Sequence, residues 1–483
     1  MERAAGRQFR DDVETVTDGT KLEADGPMHA LLRRVVDVRR GEVQAMIGSA
    51  LFFFFLLSSY FVMRPIRDAV AAASGVNQLP RLFLGTLTVT LLCNPLFSWL
   101  VVRFPVRRVI PISYQFFVVS FLIFYTVLRF VSSGEGSAVD IWMGRTFFVW
   151  ITVFALFNTS IFWCLMADAF TSEQAKRLFG FIAVGGSFGS VLGSALTAEL
   201  APKIGAVNVL LVSAVLLELA IVTVMRWPPV VVGEAAGGAS KRETDRKNAE
   251  VIGGSVWSGF THITKSPYLL GICLFMLLYV FGSTILYFAQ SDLVGKLYAD
   301  RTARTAVLAQ LEFATQTLTV ITQIFFTGRI IRWLGLALAL AVLPLVSVLG
   351  FGMLGAMATF QAFAVFSVLR RATNFAVMNP AMEVLFTVVR REDKYKAKNV
   401  IETFVYRGGD QLSSWAYAGL AALGLTLSGI SFIAVPLSLF WLGLGVWLGR
   451  RQAQMAMAGP SVMPPQSDPR LDRPLPKPSF TVS

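Results

Sequence analysis

The sequence predicts an all-α integral membrane protein, with twelve transmembrane helices arranged as two bundles of six. Three observations carry that expectation. Of 483 residues, 55% are hydrophobic and only 15% charged, against ~25% charged in an average soluble domain. A mean hydropathy of +0.62 leaves too little polar surface to cover a water-soluble fold, so bilayer must act as solvent. Apolar windows of ~20 residues, the length that crosses a bilayer, recur with short polar breaks, and one longer polar stretch divides them into two sets of nearly equal extent.

Residues 1–42 are polar, with eight basic and nine acidic residues ahead of any apolar run. That is unlike a cleavable signal peptide, so the first helix is expected to be its own insertion signal. The first bundle, 43–225, holds spans at Val43–Met63, Leu82–Val102, Val109–Leu128, Thr146–Ala167, Leu178–Ala198 and Ala206–Met225, with Glu218 the only charge inside them. A Gly- and charge-rich cytoplasmic linker is expected at 226–267. The second bundle, 268–448, holds Tyr268–Ser291, Thr305–Thr327, Leu334–Met357, Thr359–Val389, Ile401–Thr426 and Ile430–Leu448, several with internal charges. Residues 449–483, rich in proline and serine beyond Gln452, are expected to be a disordered cytoplasmic tail.

Two equal hydrophobic halves joined by a hydrophilic linker are what an internally duplicated transporter shows, with its substrate path between the halves. A short echo points the same way: Ser172–Arg177 leads into a helix with Gly185-Gly186, and Arg391–Lys394 into one with Gly408-Gly409. Lys and Arg in the connections set orientation. With both termini inside, the inner segments hold 24 of these residues and the outer ones nine. The expected location is therefore a bacterial inner membrane with cytoplasmic termini. Much of the net charge of +13 is then topology, and no nucleic-acid partner is called for. Cys93, Cys164 and Cys273 lie singly in apolar runs, and His29 and His262 are the only histidines. No metal site or disulfide framework follows, no cofactor is expected, and no catalytic set emerges, so the chain is not read as an enzyme.

Charges inside a span cost ~2.5–3.5 kcal/mol each on insertion scales and face a cavity or a partner. Arg64, Arg67 and Asp68 share a face around Pro65 at the end of the first span, where two arginines and one carboxylate suit an anionic ligand; the alternative is an interfacial cluster reaching the headgroups. Arg370, Arg371 and Asn374 share a face of the tenth span, which also carries Asn379, Pro380 and Glu383. Substrate binding or gating competes there with a buried pair to Glu312, Glu383 or Asp410. In the eleventh span Arg407, Gly408, Gly409 and Asp410 set opposite charges beside flexible backbone, with Glu402 before them. Asp410 is either a coupling carboxylate or the counter-ion of Arg407. Glu312, with Gln310, Gln316 and Gln323, makes the eighth span wet on one side, while Glu218 reads as structural. Gly185, Gly189 and Gly193 recur every four residues, the pattern of close helix packing; a phosphate-cradling loop would need a preceding strand and a Walker lysine, and neither is present.

Several segments together resemble the bacterial and plastid ATP/ADP translocase family of nucleotide exchangers: Tyr60–Asp68, Phe162-Trp163 with Ser172–Gly180, and the closest stretch, Glu383–Val389 with Lys394–Lys398 and Tyr406–Asp410. The likeness covers roughly residues 45–450. It implies a major facilitator-like fold and transport by alternating access, two bundles rocking about a central cavity. The family's lysine beside the aspartate of the first helix is matched in charge by Arg67. Its acidic residues of the fourth and seventh helices are not matched, Ile151 standing near the first of them, and Asp410 stands where a lysine is expected. The chain thus resembles a divergent bacterial branch. Its expected substrate is a small organic anion or nucleotide-like solute, bound by Arg64, Arg67, Arg370, Arg371, Asn374 and Arg407, with Asp68, Glu312, Glu383 and Asp410 for coupling or gating. An exporter of amphipathic compounds or lipids, and a non-transporting sensor or scaffold, are the alternatives. Oligomeric state is left open.

Overall fold

The computed structural model describes residues 42–103, 106–132, 134–226, 264, 266–389 and 400–458. The expected N-terminal segment up to 41, the linker at 227–263 and the tail from 459 lie outside the described residues. Everything described is helix or short connection, because every backbone polar group in hydrocarbon must be satisfied within its own segment.

The first half comprises α1 (Val43–Ser74), α2 (Leu79–Arg103), α3 (Val106–Thr126), α4 (Ala138–Ala169), α5 (Ser172–Ile204) and α6 (Val209–Arg226). The second comprises α7 (Pro267–Leu297), α8 (Arg301–Thr322), α9 (Gly328–Ala356), α10 (Phe360–Thr373), α11 (Asn379–Leu385), α12 (Tyr406–Ala422) and α13 (Leu427–Ala458). Eight of the described helices are long and apolar enough to cross a membrane: α1, α3 to α7, α9 and α13. Of the others, α8 and α12 carry both arginine and carboxylate side chains, and α10 carries Arg370 and Arg371.

Three boundaries differ from expectation. Helix α1 does not stop near Pro65 but runs on to Ser74, so Arg64, Arg67 and Asp68 lie well inside it. The alanine-rich turn Ala69–Ala73 favours helix strongly enough to carry it past the proline, until Gly75 at φ 78° ends it. Helix α13 continues to Ala458, so residues 449–458, expected in the tail, are helical; the run Gln452–Ala458 is built of good helix formers. The tenth span is broken, with a π turn at Asn374–Met378 joining α10 to α11. Pro380 explains part of this, because it cannot donate to the carbonyl four residues back, that of Ala376. That carbonyl instead accepts the Thr327 hydroxyl at 2.7 Å, and the Phe375 carbonyl accepts Gln323 Nε2 at 3.3 Å.

Packing within the first half rests on the glycine stripe. A Cβ on Gly185, Gly189 or Gly193 would lie 2.2–2.3 Å from the carbonyl oxygens of Ala50, Phe54 and Ser58, so α1 and α5 meet backbone to backbone. The close approach lets Ser58 Oγ donate to Gly189 O at 3.0 Å and Thr197 Oγ1 to Val62 O at 3.2 Å. Ser59 and Ser213 bind α1 to α6 through a hydroxyl pair 2.8 Å apart. Each half has its own apolar core.

The halves meet along α1 with α7 and α8, α5 with α8, and α2 with α12. A third apolar cluster bridges them, with Leu79, Leu82 and Phe148 against Leu286 and Phe288. At the same end, two arginines at the start of α8 reach the other half. Arg301 pairs with Asp140 and its backbone N–H donates to Glu135 at 3.1 Å, while Arg304 pairs with Glu135 at 3.4 Å.

Candidate functional site

Between the halves lies a cavity of about 580 Å³ lined by α1, α2, α4, α7, α10 and α12. Its chemistry is concentrated in five arginines, Arg64, Arg67, Arg370, Arg371 and Arg407, with Asp68 and Asp410. Glu312 stands directly behind two of the arginines. Five positive charges against three negative ones leave two in excess, in a place where uncompensated charge is costly.

The arginines differ in how they are held. Arg67 donates from Nε and Nη2 to Asp68 Oδ1, at 2.9 and 2.7 Å, and its guanidinium lies over the Phe148 ring. Asp68 also accepts the Tyr287 hydroxyl from the other half at 3.0 Å. Arg64 and Arg371 share Glu312, at 3.2 and 2.6 Å.

Arg370 has no carboxylate within ion-pair distance among the described residues. It is 2% exposed and donates only to neutral acceptors: Ser347 Oγ at 3.1 Å, Ser283 Oγ at 2.9 Å and the Tyr279 carbonyl at 3.1 Å. The Tyr279 ring lies 5.5 Å from its guanidinium carbon. Gly282 makes room for it, since a Cβ there would come within 2.8 Å of Arg370 Nη2. These contacts fix the orientation of the guanidinium and leave its charge unanswered. Arg407 and Asp410 line the cavity one turn apart, and no hydrogen bond or ion pair joins them among the described residues.

The chain shares this architecture with solved transporters. A D-xylose-proton symporter matches with a TM-score of 0.57 at 13% identity, covering 86% of this chain and 97% of that one. A bacterial homologue of the iron transporter ferroportin, in an inward-facing state, matches at 0.57 and 14%, covering 86% and 98%. At such low identity the likeness establishes the major facilitator-like fold alone. Residues 131–451 match the family described as TLC ATP/ADP transporter. The chain belongs to that family. Among curated relatives, ADP,ATP carrier protein 2 of Chlamydia pneumoniae is 23% identical over 248 residues, 46% of this chain and 45% of that protein. The carrier of the same name from Chlamydia trachomatis is 24% identical over 235 residues, 44% and 43% of the two chains. The matched part thus spans less than half the length of these relatives. By its description that family is one of ATP/ADP transporters, and the eight long apolar helices fit a multi-pass membrane protein.

Of the residues singled out in the sequence, Arg64, Arg67, Asp68, Arg370, Arg371, Asn374, Arg407 and Asp410 all line the one cavity. Glu312 lies buried behind it. Glu383 is exposed on α11 and outside the lining; twelve residues past Arg371, it sits ~18 Å further along the helix axis at 1.5 Å per residue. The Glu402 side chain lies outside the described residues. Glu218 accepts from Gln115 at 2.9 Å, tying α6 to α3. The tyrosines Tyr60, Tyr279, Tyr287 and Tyr406 were not anticipated. A usable signal existed: Tyr279, Ser283, Tyr287 and Gln290 recur every three or four residues, a polar stripe on an otherwise apolar α7. Among the described residues, four buried polar atoms of the lining have no hydrogen-bond partner: Arg64 Nε, Thr284 Oγ1, Asn374 Oδ1 and Gln411 Oε1.

Proposed function

We propose that this protein is a secondary transporter in a bacterial inner membrane, moving a small organic anion through alternating exposure of the cavity between its halves. Twelve spans in two six-helix bundles, with both termini cytoplasmic, complete the reading. A nucleotide or related organic phosphate is the favoured substrate class, in keeping with family membership and with the excess of guanidinium groups. The observation that carries the proposal is Arg370, a buried arginine held by neutral groups at the wall of a cavity between the two halves. A charge so placed is retained when a ligand supplies the missing anion. A sensor or scaffold would favour internally paired charges throughout, and Arg370 and Asp410 depart from that. Asp410 is assigned the coupling role, as a cavity carboxylate without an ion-pair partner among the described residues.

The deciding experiment is uptake by proteoliposomes of labelled ATP, ADP, pyrophosphate and other organic phosphates, in parallel for wild type, Arg370→Lys and Arg370→Met. Removing one partner of a buried charged contact costs ~2–5 kcal/mol, so Arg370→Met should raise KM at least ~30-fold. Lysine keeps the charge without the planar fork and should recover part of the loss. Wild-type uptake by Arg370→Met, at matched amounts of folded protein, would sink the proposal.

A further inference from the structure

Arg64 and Arg371 face the same cavity from opposite halves, on α1 and α10. Glu312 of α8 holds both from behind, itself 2% exposed and outside the lining. Its Oε1 accepts Arg64 Nη1 at 3.2 Å and its Oε2 accepts Arg371 Nη2 at 2.6 Å. Gln316, one turn on, donates to the same carboxylate at 2.8 Å. The Gln316 side-chain oxygen accepts Ser190 Oγ, across on α5, at 3.1 Å. One carboxylate therefore engages two cavity arginines, offsets one of their two charges, and ties α1 of the first half to α8 and α10 of the second.

A carboxylate and a phosphate offer a guanidinium the same acceptor oxygens and the same bidentate geometry. Whatever anion approaches Arg64 and Arg371 meets groups already engaged by that chemistry. Arg64 still has capacity to spare, since its Nε is buried without a partner among the described residues. We infer that Glu312 is an internal competitor of the substrate anion, occupying Arg64 and Arg371 across the two halves until an entering anion takes over one or both and loosens the tie between them. The inference rests on the anion reading above and adds to it a positioning residue that acts through the two arginines.

The competitor role has a sign that a merely structural ion pair lacks. If Glu312 only propped the arginines in place, its loss would weaken anion binding. If it competes, its loss frees two guanidinium groups and removes a negative charge, worth at least about tenfold in affinity for an anion within ~12 Å at an effective dielectric of ~20. The full chain in detergent is tested for binding of labelled ATP and pyrophosphate, and in proteoliposomes for exchange at saturating ATP. Glu312→Gln should bind both anions about tenfold more tightly yet exchange more slowly, because no carboxylate returns to displace the bound anion. Glu312→Asp keeps the charge but shortens its reach by one methylene, and should fall between wild type and Glu312→Gln in both readouts; it decides the matter if Glu312→Gln does not fold. Wild-type or weaker anion affinity in the folded variants overturns the inference while leaving the anion reading intact. Absence of binding to either anion by wild type and variants alike overturns both.

Discussion

Replacing Gly189 by alanine tests the physical basis of the first half. The added methyl would sit 2.2 Å from the Phe54 carbonyl oxygen and 2.9 Å from its carbon, so α1 must retreat by about 1 Å to restore van der Waals contact. It cannot do so at one turn alone, because Gly185 and Gly193 hold the neighbouring turns equally close. Overpacking costs ~1–3 kcal/mol. Stretching the Ser58 to Gly189 and Thr197 to Val62 hydrogen bonds adds ~0.6 kcal/mol each in a membrane. Alanine returns ~1 kcal/mol through its higher helix propensity. The balance is a destabilisation of about 1–3 kcal/mol, read as a lower midpoint in thermal unfolding of the detergent-solubilised protein followed by fluorescence-detected size exclusion. Gly180→Ala is the control, since that position on the same helix has nothing within 4 Å and should gain or hold stability. Equal midpoints for the two variants would refute the backbone-contact argument.

Two further outcomes are expected. Asp410→Asn should abolish accumulation driven by an imposed pH gradient while leaving counter-exchange intact; pH-gradient-driven accumulation at the wild-type level removes Asp410 from the coupling role. Reporter fusions at Ser240 and Gln452 should both report cytoplasm, and a periplasmic signal from either would overturn the helix count or the orientation.

The apolar windows made most of the helices legible, because length and hydropathy alone decide what can cross a bilayer. The charged residues of the cavity were legible for the complementary reason, that burying them in a span demands an explanation. What the pattern hid is instructive. Pro65 reads as a bend or an end of the first helix, yet the alanines after it carry the helix on to Ser74. The pairing of Arg371 with Glu312 was one of three open choices, since spacing on a single helix says nothing about the helix opposite. Glu383 shares its span with Arg371 but lies too far along the axis to reach the same cavity. Glu135, Asp140, Arg301 and Arg304 drew no notice at the span ends, where a charge is unremarkable until its partner is seen.

The extra-residue turns leave the two halves mechanically unequal. Among the described residues the first half has one π turn, at Val127–Val131 beyond α3. The second has three, at Gln323–Thr327, Asn374–Met378 and Ile401–Val405, and a break in α9 at Gly335, φ 73°. Each inserted residue swings everything past it by ~100° about the helix axis and leaves a place where the hydrogen-bond ladder yields first. Two of these turns adjoin the site, one just after Arg371 and the other just before Tyr406 and Arg407. The first half, welded along its glycines, is a frame; the second is a linkage, and it is on the linkage that Arg370, Arg371 and Arg407 are mounted. Two halves of nearly equal length are thus an anvil and a set of jointed fingers.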